Sequence, residues 1–150
     1  MGIEYYIINR KNKTAYDLGK GGWYALSYDK ECFQDLEYLE NYILEECYNE
    51  VNDFIKTYVK EKVAPDLFEF CKNTEPKDIF IFNDSGDDMY ICRCIGYRFL
   101  GHRYSGMSNQ EYQEHLKFLN RHLDNNTPAH FYDINRAKGY GLEPLMEQYK

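Results

Sequence analysis

The chain has 150 residues, of which 43% are hydrophobic and 17% aromatic, and its formal net charge is −7. This composition excludes a disordered chain, so we expect one globular domain over residues 1–150 that buries roughly 70% of its unfolded surface. The negative charge excludes general nucleic-acid binding, for which lysine and arginine must replace counterions. It favours a protein partner with a basic surface.

Five cysteines, an odd number, predict free thiols in a reduced, cytoplasmic protein. The opening MGIEYY is not a signal peptide, and no apolar run reaches the roughly 18 residues of a membrane span, so we expect no membrane association. Cys92 and Cys94 are two residues apart, but no second cysteine or histidine pair has matching spacing. We therefore predict neither a bound metal nor another cofactor.

The chain opens with a predicted β-hairpin. Residues 4–10 are rich in aromatic and β-branched side chains, residues 11–13 form a turn, and residues 14–18 return as the second strand. Glycines then surround Lys20 and precede Trp23, but the Walker pattern, in which Ser or Thr follows the lysine, is absent. We expect a loop that seats Trp23, with phosphate binding near Lys20 as the alternative.

The segments YYIIN at residues 5–9 and YDLGKGGWY at residues 16–24 resemble the start of small uncharacterised proteins of bacteria and their phages. The resemblance implies a microbial accessory protein, such as an immunity or anti-defence factor. It assigns no chemistry to any residue.

Residues 33–62 contain neither proline nor glycine and predict one long amphipathic helix. Glu40 and Glu50 fall on its apolar side, which indicates either a bend in the helix or a carboxylate that meets a cation or a cavity. The apolar side is formed by residues three or four positions apart, namely Leu36, Leu39, Ile43, Cys47, Val51, Phe54 and Tyr58.

The opposite side of this helix is acidic and carries tyrosines. Exposed tyrosines among carboxylates are typical of contact anchors within a charged rim. A solvated amphipathic helix is the plainer interpretation. The binding hypothesis places the partner contact on Tyr38, Tyr42, Glu45, Glu46 and Asp53.

Further along, residues 64–71 predict a short second helix, with a proline in its first turn. The apolar run 79–82 and the segment 89–99 predict two strands of a central β-hairpin, joined by an acidic turn. In that turn Asp84, Asp87 and Asp88 could gather a hard cation, which gives a third hypothesis of a metal-assisted hydrolase at residues 84–88. The EF-hand spacing is absent, however, and tight turns require the same residue types.

The segment 97–104 is the most basic and aromatic part of the chain. Arginine forks on an aromatic surface can hold a phosphate or a carboxylate, although these charges could also simply balance the acidic helix. The alternative function is therefore a binding protein for an anionic nucleotide or phosphorylated metabolite. Its ligand-binding residues would be Lys20, Trp23, Arg98, His102 and Arg103.

Ser108 and Glu111 have the spacing of a capping box, and the apolar pattern after them predicts a helix up to Leu123. Residues 130–134 predict a last strand, residues 135–141 a loop and residues 142–149 a closing helix. The four histidines match no ligand motif, so we interpret them as packing or surface residues.

Together these elements predict one α+β domain, with an antiparallel sheet of four or five strands packed against one long acidic helix and a second, capped helix. No nucleophile has a recognisable base, which favours a non-enzymatic binding protein. We expect an inhibitor or immunity-type factor that contacts another protein through the acidic helix face.

Reversal of Glu45 and Glu46 to lysine tests this expectation. The reversal should slow association with a basic partner strongly at low salt and less at high salt, because mobile ions screen the interaction. Association rates measured across a salt series would check it. Unchanged binding by the variants would exclude this face as the contact.

Overall fold

A four-stranded sheet in the order β3-β1-β2-β4 forms the middle layer of this single α+β domain. The computed structural model describes residues 2–48, 50–101, 106–124, 126 and 132–150. Helices cover both faces of the sheet, which confirms the predicted fold class. The strands are β1 (Glu4–Asn9), β2 (Thr14–Lys20), β3 (Ile79–Asn83) and β4 (Arg98–Leu100).

The predicted N-terminal hairpin is confirmed. β1 and β2 are antiparallel, with Asn9 opposite Thr14 and a turn over residues 10–13. Alternate side chains of β1 enter different cores, since Ile7 packs on one face of the sheet and Ile8 on the other. Because β1 is buried on both faces, its residues YYII are all apolar or aromatic. A half-exposed strand would instead alternate apolar and polar residues.

The predicted hairpin of residues 79–82 and 89–99 is wrong. β3 pairs with β1 at one edge of the sheet, residues Asp88–Cys94 form helix α4, and the short β4 pairs with β2 in parallel at the other edge. The sheet is therefore mixed and not purely antiparallel. The apolar residues around Ile91 suit a helix as well as a strand, and a short run of this kind does not distinguish the two.

The predicted long helix is also wrong, because it breaks near its middle. Helix α1 (Leu36–Tyr42) continues through the π-helical turn Ile43–Cys47 and ends at Tyr48, whose backbone is extended. A second helix begins when the Asn52 side chain accepts a hydrogen bond from the Ile55 N–H at 2.9 Å, a standard N-cap. Glu50 lies exposed in the break, so the bend is the correct explanation for its position.

The second helix runs without interruption from residue 53 to residue 71, and we call it the 53–71 helix. It comprises α2 (Asp53–Tyr58), the π-helical turn Val59–Val63 and α3 (Ala64–Cys71). Pro65 lies in the first turn of α3, directly after the wider π-helical turn, so its missing N–H does not end the helix.

The other face of the sheet is covered by α4, α5 (Asn109–Leu119), α6 (Ile134–Gly139) and α7 (Glu143–Tyr149). The cap at Ser108 is confirmed, since its side chain accepts a hydrogen bond from the Glu111 N–H at 3.1 Å. No helix in the described ranges is long and apolar enough to cross a membrane.

The C-terminal part differs from the prediction at several elements. Helix α5 ends at Leu119, and the residues up to Leu123 form a separate 3-10 turn. The predicted loop 135–141 is mostly helix α6, which Asp133 caps by accepting from the Asn135 N–H at 2.8 Å. The predicted strand 130–134 begins outside the described residues, and its last residue belongs to α6. The closing helix is confirmed as α7.

A buried polar contact ties the 53–71 helix to the sheet. Asn9 is 1% exposed, and its Nδ2 donates to the Phe70 carbonyl at 2.9 Å and to Thr74 Oγ1 at 3.0 Å. Gln34 Nε2 donates to the Thr74 carbonyl at 2.8 Å, which adds a second connection at the same end. α3 is thus fixed at its C-terminus, whereas α2 contains no buried residue.

Replacement of Asn9 by alanine should lower the free energy of unfolding by about 1–3 kcal/mol, because the buried Thr74 Oγ1 and the partly buried Phe70 carbonyl lose their donor. Asn109→Ala is the control, since Asn109 is exposed at the start of α5 and should change stability by no more than about 0.5 kcal/mol. Urea unfolding followed by circular dichroism measures both values. Equal effects of the two substitutions would contradict the role of Asn9.

Candidate functional site

A groove with a volume of about 1170 Å³ lies between β2 and the 53–71 helix. One end lies beside the end of β4 and α5, and the other lies where β2 runs into the 3-10 helix Trp23–Ser27. Small-molecule pockets typically measure roughly 300–1,000 Å³, so this groove is large for a single metabolite. Seven of its lining residues are aromatic: Tyr16, Trp23, Tyr48, Phe54, Tyr58, Phe70 and Tyr112.

Trp23 forms a rigid end of the groove. The indole is 5% exposed and stands edge-on against Tyr48, with ring centroids 5.7 Å apart. Gly22 allows this packing, because a Cβ at that position would lie 3.1 Å from the backbone carbonyl of Cys47. The glycine segment therefore seats Trp23, as predicted, but on a 3-10 helix and against the break between α1 and α2.

The outer wall of the groove consists of aromatic rings in contact with solvent. Phe54 is 77% exposed and Tyr58 is 45% exposed, although their spacing predicts an apolar, buried helix face. These rings are exposed because α2 stands away from the core, so that none of its residues is buried. Large exposed rings beside a concave surface are typical of a binding site.

The opposite end of the groove is polar. Tyr16, Tyr58, Asp66 and Tyr112 all line the groove, and burial followed by the negative charge of Asp66 raises the pKa of Tyr16 well above its ordinary value. The rings are fixed in place: Tyr16 packs on Phe70 with centroids 5.8 Å apart, and the Tyr112 hydroxyl donates to the Gly101 carbonyl at 3.0 Å.

The charged groups that line the groove are of both signs, with the carboxylates of Asp66 and Glu69 and the ammonium groups of Lys20 and Lys62. The Asp17 side chain lies on the other face of the sheet, because Asp17 is directly opposite Tyr6, which packs in the core on that face. Asp17 is buried, and its Oδ1 accepts a hydrogen bond from the Gly19 N–H at 2.7 Å. The groove can therefore offer apolar contact together with a few charged groups.

The predicted partner-binding residues fall into two groups. Glu45 and Glu46 are exposed on the π-helical turn after α1, whereas Asp53 starts α2 beyond the break. The Tyr38 hydroxyl donates to Asp29, and the Tyr42 hydroxyl donates to the Ala25 carbonyl at 2.8 Å. Both tyrosine hydroxyls thus bond within the chain, and a role in partner binding stays a prediction.

The residues of the alternative ligand site are not all brought together. Lys20 and Trp23 both line the groove. Arg98 is exposed at the start of β4 and does not line the groove. His102 and Arg103 lie outside the described residues.

The acidic turn gives no support to the hydrolase hypothesis. Asp84 and Asp87 lie between β3 and α4, and Asp88 accepts a hydrogen bond from the Tyr149 hydroxyl. Within the described ranges, no group of three or more His, Cys, Asp or Glu side chains is arranged to hold a metal ion. His122 packs against Phe99, with its Nε2 2.6 Å from the Tyr97 carbonyl, and burial lowers its pKa.

Comparison of the chain with protein-family models, with curated proteins and with solved structures gives no match. The geometry and charge of the groove are therefore the basis for assigning a function.

The cysteines should behave as buried thiols without nucleophilic activity. All five are free, and burial raises the pKa of each, to about 12 for Cys32 and Cys47. Since the thiolate is the reactive form, a disulfide reagent at pH 8 should react slowly with the native protein and with five groups after unfolding. Fast reaction of one native thiol would reveal an activated cysteine.

The raised pKa values of the thiols also predict how the free energy of unfolding changes at alkaline pH. The thiols favour the fold fully below their unfolded pKa of about 8.5, and this contribution is lost as the pH rises toward 12. The free energy of unfolding should therefore fall between these pH values. An unchanged value at pH 10 would contradict the burial of Cys32 and Cys47.

Proposed function

We propose that the protein is a non-enzymatic binding protein whose groove holds an apolar, basic segment of a partner protein. The observation that carries this proposal is the wall of solvent-exposed rings, Phe54 and Tyr58, beside a volume of about 1170 Å³. Aromatic side chains supply much of the energy of protein–protein contacts, especially where they line a concave surface. An inhibitor or immunity-type factor of a bacterium or phage is the proposed biological role, on the basis of the N-terminal resemblance.

The shape of the groove favours a peptide segment as the occupant. A groove between a helix and a sheet accepts an amphipathic segment, whose apolar side chains enter the groove while its polar side chains stay in water. The aromatic residues are spread from Tyr16 on β2 to Trp23 on the following 3-10 helix, and from Phe54 to Phe70 along the 53–71 helix. A segment of several residues can contact all of them at once, which a single metabolite cannot.

The distribution of charge favours a basic partner. The whole chain has a net charge of −7, and the carboxylate of Asp66 in the lining forms no ion pair with the described residues. Glu46 precedes the groove residue Tyr48 by two positions, and Asp53 is adjacent to Phe54, so acidic side chains flank the aromatic wall along the chain. In this proposal the acidic residues accelerate the approach of the partner, while the rings anchor it.

A small anionic ligand is the second candidate, because Lys20 and Trp23 line the same end of the groove. Trp23 is only 5% exposed, however, and offers little ring surface to a nucleobase. The carboxylates of Asp66 and Glu69 would repel an anion that extended along the groove. The partner segment therefore accounts for more of the lining than the anion does.

Selection from a phage-displayed random-peptide library tests the proposal without knowledge of the partner. Peptides enriched on the parent protein should bind Phe54→Asp about tenfold or more weakly, since a lost aromatic anchor costs more than 1.4 kcal/mol. Phe118→Asp is the matched control, because Phe118 is 61% exposed on α5 and does not line the groove. Failure to enrich any peptide, or equal binding to both variants, would overturn the proposal.

A further inference from the structure

The two ends of the groove differ in their chemistry. The Trp23 end combines the edge-to-face pair Trp23 and Tyr48 with the side chain of Lys20. The Tyr16 end places the phenol groups of Tyr16, Tyr58 and Tyr112 beside the carboxylate of Asp66. An apolar anchor at one end therefore leaves the other end available for a polar group of the same bound segment.

Asp66 is suited to contact a ligand. It is exposed in the first turn of α3 and lines the groove. No ion pair joins it to any residue in the described part of the chain. Its neighbour Glu69 differs in this respect, because it lies 3.9 Å from the ammonium group of Lys72.

Asp66 is the charged group that acts most strongly on the Tyr16 hydroxyl. Burial and this carboxylate both raise the pKa of Tyr16, so the phenol stays neutral at physiological pH. Lys62 lies one helical turn before Asp66 and also lines the groove, but no ion pair joins the two side chains. A basic group of a bound segment can therefore contact the Asp66 carboxylate directly.

A cation at this position would be stabilised in two ways. A carboxylate and an ammonium or guanidinium form a charge-assisted hydrogen bond, and aromatic faces attract a cation through the ring quadrupole. An anion would be repelled by Asp66, and an uncharged side chain would leave the carboxylate without a partner. The chemistry of this end thus selects a basic group.

We infer that the Tyr16 end of the groove is a subsite for one lysine or arginine side chain of the bound partner segment, with Asp66 as its counter-ion and the rings of Tyr16, Tyr58 and Tyr112 as its walls. This inference rests on the proposed function, because it names the partner residue that the groove recognises. It defines the expected ligand motif, a basic residue at a fixed distance along the segment from an apolar anchor.

A charge-swap selection tests the subsite. Peptides enriched on the parent should carry lysine or arginine at one fixed position relative to their apolar anchor. Peptides enriched on Asp66→Lys should carry aspartate or glutamate at that position, with the anchor unchanged. Glu61→Lys is the matched control, since Glu61 is exposed on the same helix but does not line the groove, and it should return the parent motif.

Binding of a selected peptide then measures the interaction itself. Replacement of its basic residue by norleucine should weaken binding to the parent about tenfold, as expected for a charge-assisted contact, and should have little effect on binding to Asp66→Asn. Equal weakening in both proteins would overturn the subsite.

The outcomes distinguish the subsite from the proposed function. An anchor motif that depends on Phe54 but is the same on the parent and on Asp66→Lys would overturn the subsite alone. Absence of any Phe54-dependent motif would overturn both. Thermal melting of each variant by circular dichroism would show that the fold is intact.

Discussion

The hydrogen bonds of the buried Asn9 amide set the geometry of the groove. Asn9 lies on the central strand β1, and its Nδ2 reaches both the last turn of α3 and the loop beyond it. A buried amide is strongly constrained, because an unpaired donor in the interior costs about 1–3 kcal/mol. The C-terminal end of the 53–71 helix is therefore held against the sheet, while no residue of α2 at its other end is buried. The groove occupies the space that this difference leaves above β2.

The break between α1 and α2 separates two roles that the sequence pattern combines in one helix. α1 and its π-helical turn bury Leu39 and Ile43 and carry Glu45 and Glu46 in solvent. Beyond the break, α2 presents Phe54 and Tyr58 to the groove. In the proposed function, Glu45 and Glu46 attract the basic partner, and the rings of Phe54 and Tyr58 provide the apolar anchor.

Local signals in the sequence were sufficient to predict part of the fold. The hairpin of β1 and β2 and the cap at Ser108 follow from residue types that act on their nearest neighbours. Asn52 is also a local signal, since it is a good N-cap, but the uninterrupted apolar spacing around it favoured one helix. The segment around Ile91 was ambiguous because its apolar residues suit a strand or a helix.

The groove could not be predicted in the same way. Phe54 and Tyr58 are four residues apart, and this spacing is the same whether the helix face packs on a core or lies open to solvent. Their exposure depends on where the sheet holds the helix, and contacts from distant parts of the chain, such as those of Asn9, fix that position. Lys20 and Trp23 were predicted to lie together, and they do, because they are close in sequence. Tyr16 and Asp66 are far apart in sequence, and only the fold brings them to the same end of the groove.

The fluorescence of Trp23 provides the most direct test of the central claim, that the groove is the binding site. Trp23 is the only tryptophan in the chain and lines the groove, so its emission reports on occupancy there without a label. Titration with a selected peptide that lacks tryptophan should change the intensity or wavelength of the emission and saturate at the Kd obtained from a labelled peptide. Saturable binding of the labelled peptide with no change in Trp23 emission would place the binding site elsewhere and contradict the account.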